Sequence, residues 1–192
     1  MRTLARVSRD IEATPHPRFP VRLTAECVGW ARTAHYVTTV AEDGDVQLRS
    51  EAGAPTRYFI RRRGPDRLEL TQLDDDAEHP LLFVADTEVL ERHLIGLFAD
   101  DIREDLDLPL LEIGWTVDDL ARGYEVSEME RGYRTLKRVG GGPVAAAPDP
   151  TLSLLALVPL SHYLQWSIAD LKRSFLSPTG SPLLRRGGYA AP

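Results

Sequence analysis

The chain has a single cysteine, Cys27, so it can form neither an internal disulfide nor a multi-thiolate zinc site, and lone thiols are ordinary inside cells. Its longest apolar run, Leu152 to Leu160, is interrupted by Ser153 and Pro159 and falls far short of the roughly 20 residues a membrane-spanning helix needs. No membrane segment is expected. The N-terminal stretch carries Arg2, Arg6 and Arg9 but no apolar core, so it does not read as a secretory signal. The five histidines, at 16, 35, 79, 93 and 162, are scattered and no H-E-x-x-H occurs, so no metal centre and no cofactor are expected. A cytoplasmic protein follows from these absences.

What is present suits one domain. A chain of 192 residues with 43% hydrophobic content is long enough to bury about 70% of the surface its unfolded form exposes. The net charge of −6 is unevenly spread, because the stretch from Asp74 to Asp107 holds twelve acids against only Arg92 and Arg103. The basic counterweight is the group Arg57, Arg61, Arg62, Arg63 and Arg67. Strand alternation would put Arg61 and Arg63 on one face and Arg62 on the other, so they form no one-sided basic patch. Acidic surface repels phosphate backbones, and nucleic acid is not expected as a partner.

Residues 1–19 lack periodicity and read as a mobile extension; 20–185 read as one α+β domain, and 186–192 as a tail. From Pro20, a residue suited to a first helical position, Leu23, Cys27, Trp30, Ala31 and Ala34 mark an amphipathic helix that places Cys27 in the core. Short runs at 35–41, 46–50, 56–63, 67–73 and 80–85, separated by turn residues, predict an antiparallel β meander with one face packed under helices. The period returns to 3.6 after Thr87, the expected cap, with Leu90, Leu94, Leu97, Phe98 and Ile102 on one stripe. Thr116 to Asp119 fits a capping box for a short helix stopping at Gly123. Runs at 124–129, 133–139 and 143–147 predict a second, smaller β unit, the last two joined as a hairpin through Gly140, Gly141 and Gly142. A helix opening at Asp149 and Pro150 comes next, with Pro159 either ending it or beginning the next segment. Another, capped by Ser167 and Asp170, stops before Pro178.

No catalytic constellation emerges. Ser161 and His162 are sequence neighbours on a helix, so their side chains diverge by about 100° and adjacency does not make a dyad. The glycine run at 140–142 lies between candidate strands and lacks the Lys-Ser/Thr ending of a phosphate cradle. A small-molecule-binding or hydrolytic enzyme stays open only as one whose site is assembled in three dimensions.

Four segments, in this order, carry a resemblance: WARTAHY at 30–36, RYFIRRR at 57–63, ERHLIGLFADDIRE at 91–104 and SIADLKRSFLSPTGSPL at 167–183. Together, over about residues 21–185, the chain resembles the bacterial polymorphic-toxin immunity proteins, the group that includes the immunity factor of the tuberculosis necrotizing toxin. The resemblance implies an α+β cytosolic antitoxin, without enzymatic activity, that binds an NAD-hydrolysing toxin domain and obstructs its NAD site.

One local irregularity suggests where such a partner would sit. Asp100, Asp101, Glu104 and Asp105 crowd what reads as the C-terminal end of the helix from Thr87. There the helix dipole disfavours each negative charge by about 0.3 to 1 kcal/mol, and 100/104 and 101/105 are like-charged i,i+4 pairs. Sequences tend to break local rules where function requires it, so these four carboxylates are the expected partner-binding residues, the alternative being a solvated acidic face or local pairing with Arg103 and more distant arginines.

Overall fold

A computed structural model of the chain describes residues 20–51, 56–74 and 77–192; the extension expected at 1–19 lies outside them. Alternation fixes the sheet. In β2 (Val46–Ser50), β3 (Arg57–Gly64) and β4 (Arg67–Asp74) buried residues sit two apart, as Val46 and Leu48, Tyr58 and Ile60, and Leu68 and Leu70, while β1 (Tyr36–Val40) buries Tyr36 and β5 (Ala77–Val84) buries Leu82 and Val84. Cross-strand partners such as Val46 and Ile60, Ile60 and Leu70, and Leu70 and Leu82 carry one apolar face through the meander. The predicted smaller β unit is β6 (Tyr124–Val126), β7 (Tyr133–Arg138) and β8 (Pro143–Pro148). It does not stand apart: β8 pairs antiparallel with β5, giving one eight-stranded sheet in the order β1-β2-β3-β4-β5-β8-β7-β6. The fold is α+β with an open antiparallel sheet.

The helices bury the apolar face of that sheet. These are α1 (Ala25–Thr33), α2 (Thr87–Leu97), α3 (Ala99–Asp105), α4 (Leu152–Tyr163) and α5 (Ile168–Phe175). Trp30, Leu90, Leu94, Phe98, Leu157, Leu160 and Phe175 share one core with Leu48, Ile60, Leu70, Leu82 and Leu136 of the strands. Cys27 is in this core as expected. Burial first, and then the Glu91 carboxylate, push its thiol up to about 12, so it is held protonated.

Several boundaries differ from the sequence reading, each for a local reason. Helix α1 starts at Ala25 rather than Pro20, because Thr24 caps it by accepting from the Cys27 amide while Val21 donates to the Gly44 carbonyl and follows the meander instead. The cap of α2 is Asp86, whose carboxylate accepts from the Val89 amide at 2.8 Å, not Thr87. The Thr116 segment makes only one 3-10 turn, Val117–Asp119. Helix α4 runs through Pro159 to Tyr163. The helix read as continuous from Thr87 to Asp105 is two, broken at Phe98, whose ring is wedged beside Tyr36 (centroids 4.6 Å apart) and Tyr58 (5.9 Å). No single helix among the described residues is long and apolar enough to cross a membrane. Beyond α5, Leu184–Arg185 pairs with Gly188–Tyr189, and the Tyr189 ring stacks on His162 at 3.5 Å.

Candidate functional site

The break at Phe98 changes the electrostatics of the acidic segment. Asp100 and Asp101 occupy the first turn of α3, where a helix favours anions, and only Glu104 and Asp105 stand at an unfavourable end. The dipole irregularity expected from the sequence therefore holds for two of the four carboxylates. The chain leaves α3 through a Schellman turn, with Asp107 donating to the Glu104 carbonyl and Leu108 to the Arg103 carbonyl. Asp107 takes a left-handed conformation there (φ 52°), as does His35 (φ 61°), which follows α1. Each strains a non-glycine backbone by about 1 kcal/mol, and both flank the acidic helix.

The i,i+4 spacing sorts the acids into two pairs. Asp101 and Asp105 turn towards the junction of α1 and β1, where Asp105 accepts from or pairs with His35 Nε2 at 2.9 Å. Partial burial first, and then repulsion from Asp100, Asp105 and Glu104, raise the Asp101 carboxyl above the ordinary aspartate range, with a hydrogen bond to the Tyr36 hydroxyl opposing the shift. Asp100 and Glu104 are exposed, and neither side chain has an ion-pair or hydrogen-bond partner among the described residues.

Arg103, in the middle of the acids, does not neutralise them. It is fully buried and donates only to backbone carbonyls: from Nε and Nη2 to Pro109, from Nη1 to Phe175 (2.6 Å) and Ser177 (2.8 Å), and from Nη2 to Pro178 (3.4 Å). These carbonyls include the negative end of α5, so Arg103 fixes α3 and the segment after it to the far helix of the core.

Beside Asp100 opens a groove of about 270 Å³ that sequence reasoning missed, since its walls come from distant segments. Leu97 of α2, Leu111, Ile113 and Trp115 of the irregular segment after α3, and Leu155 and Pro159 of α4 supply apolar walls, and His93 lies within. Close approach of α2 and α4 sets its floor: a Cβ on Gly96 would lie 2.5 Å from Cε2 of Tyr163. Trp115 (43% exposed) and Leu155 (44%) stand at its mouth, with Leu110 and Val117 exposed in the same irregular segment.

Elsewhere the candidate chemical groups are occupied structurally. Ser161 donates to the Val158 carbonyl and accepts from the Ala121 amide, while His162 Nε2 lies 2.7 Å from the Asp119 carbonyl, so the two form no dyad. Arg61 pairs with Glu78 and Asp45, Arg63 with Glu69, and Arg62 donates to the Pro65 carbonyl on the other side. No group of three potential metal ligands occurs among the described residues.

The chain has relatives in sequence and in fold. The chain is 33% identical over 140 residues to the immunity factor for TNT of Mycobacterium tuberculosis (strain ATCC 25618 / H37Rv). It matches that protein's homolog from Mycobacterium bovis (strain BCG / Pasteur 1173P2) equally, spanning 68% of this chain and 73% of each relative. The solved structure of Rv3902c from M. tuberculosis superposes with a TM-score of 0.73 at 27% identity, covering 84% of this chain and 92% of that one. The family model for immunity protein 61 matches residues 30–183, from the buried Trp30 through the acidic helix and groove to the end of α5 and beyond, and the chain therefore belongs to the immunity protein 61 family.

Proposed function

We propose that this chain is a cytoplasmic, non-enzymatic antitoxin that binds the NAD-hydrolysing domain of a cognate toxin and blocks access to its NAD site. Membership of the immunity protein 61 family carries the reading, supported by the relatives named as immunity factors for TNT. The acidic helix gives it a physical route. A domain that binds NAD must accommodate a diphosphate with two negative charges, so its entrance favours cations, and exposed carboxylates such as Asp100 and Glu104 suit the same field. An antitoxin must also engage faster than its toxin acts, and complementary charge raises association rates more than it raises affinity. Asp100, Asp101, Glu104 and Asp105 are accordingly proposed as partner-facing, with Asp100 and Glu104 the members available without breaking an internal contact.

The test is to co-express the chain with its cognate NAD-hydrolysing toxin domain and to follow cellular NAD and survival. Preserved NAD and growth are expected. Unchanged NAD loss in cells containing soluble antitoxin would overturn the reading.

A further inference from the structure

We infer that the groove between α2, α4 and the segment 106–117 receives one large apolar side chain of the toxin domain, carried next to an arginine or lysine that pairs with Asp100. The inference rests on the antitoxin reading and names the chemistry of its partner. At about 270 Å³ the groove lies at the lower edge of the roughly 300–1,000 Å³ of small-molecule sites and is large enough to receive one protein side chain.

The rim adds direction. Trp115 and Leu155 flank an interior of mixed lining, with His93, Asp100 and Tyr163 among the apolar side chains, and rims of this kind resemble the anchor sites where aromatic side chains dominate binding energy. Asp100 lines the same groove and has no partner among the described residues, while the other acids of α3 add to its negative field. A cation at the mouth would relieve that repulsion; an anion would meet it at full strength. Charge complementarity thus selects an apolar residue beside a basic one.

The groove is also held ready. Arg103 ties the start of segment 106–117 to the end of α5, and Tyr189 donates to the Gly114 carbonyl at 2.9 Å, next to Trp115. An anchor entering it orders little that is not ordered already, which keeps the entropic penalty of binding low.

The experiment uses the full chain and the purified cognate NAD-hydrolysing toxin domain, with binding followed by biolayer interferometry and inhibition by NAD turnover. Trp115→Ala and Leu155→Asp should speed dissociation by about 10- to 100-fold with unchanged melting temperatures. Asp100→Lys, an exposed change that cannot empty the core, should slow association several-fold at low salt and lose that effect at high salt. Hydrogen exchange at 106–117 should slow in the complex. If the wild type inhibits and all three variants bind like it, the groove is not the docking site although the antitoxin reading stands. If the wild type neither binds nor inhibits, both fall. Self-association of the wild type that Trp115→Ala abolishes would make a second copy the occupant and overturn the inference.

Discussion

Arg103→Ala probes the joint on which the acidic helix depends. The guanidinium is 0% exposed and faces the carbonyls of Pro109, Phe175, Ser177 and Pro178, with no carboxylate paired to it. Counted singly at about 1.5 to 3 kcal/mol each, charged hydrogen bonds to four carbonyls would overstate its worth, because burying the cation costs several kcal/mol in lost hydration. Truncation removes both effects but leaves the carbonyls without donors and opens a cavity, for a net loss of about 3 to 5 kcal/mol. In a chain of this length that lowers the melting temperature by about 6 to 20 °C. Arg103→Lys keeps the charge but replaces the planar fork with one ammonium, which cannot reach carbonyls on both sides, so it should lose roughly half as much. Urea unfolding and thermal melts followed by circular dichroism measure both. A melting temperature for Arg103→Ala within about 2 °C of the wild type would refute the reasoning and leave the segment to the Schellman turn and the Tyr189 bond to Gly114.

Phe98→Ala should cost about 3 to 5 kcal/mol in urea unfolding, since it empties the space between Tyr36 and Tyr58 at the helix break. Burial lowers His93 to about 4, so above pH 6.5 the ring is neutral folded or unfolded and stability is unaffected. As pH falls from about 6.5 towards 4 the unfolded chain alone takes up the proton, and stability should drop by on the order of 2 to 3 kcal/mol more than in His93→Gln. Neutralising Asp100, Asp101, Glu104 and Asp105 to Asn or Gln should slow association with the toxin domain and flatten its salt dependence while the fold survives; an unchanged on-rate at low salt would place the interface elsewhere.

The meander was legible because its alternation is unmixed: Val46 and Leu48, Tyr58 and Ile60, and Leu68 and Leu70 sit two apart and are buried together. Ser167 and Asp170 announced α5 by the same local logic, the serine accepting from the Asp170 amide at 3.0 Å. The break at Phe98 was not legible, because Leu94, Phe98 and Ile102 keep one apolar stripe across it and Gly96, two residues before it, sits inside that periodic run. The role of Arg103 was not legible for a related reason. Among acids a lone arginine looks like a solvated counter-charge, and only tertiary structure brings α5 carbonyls to it. The groove is built where residues 93–115 meet α4 and α5, more than 35 residues further along the chain, and no spacing rule within one segment encodes it. Its single sequence trace is the unpaired apolar character of Leu110, Trp115 and Val117 where neither period holds.

The seam between β5 and β8 bears on the order of events during folding. Only Phe83 with Ala146 and Val84 with Ala145 join the two halves of the sheet in register, helped by one bond from the Ala85 amide to the Val144 carbonyl. The chain between those partners includes α2, α3, β6 and β7, so closing the seam demands a long loop, whereas each hairpin of the meander closes a short one. The amides of β3 and β4 should accordingly gain protection before those of β8 in pulse-labelled exchange, and simultaneous protection would contradict this order. Until β8 arrives, β5 is a free edge open to pairing with another chain, and the seam is where newly made protein is most exposed to aggregation.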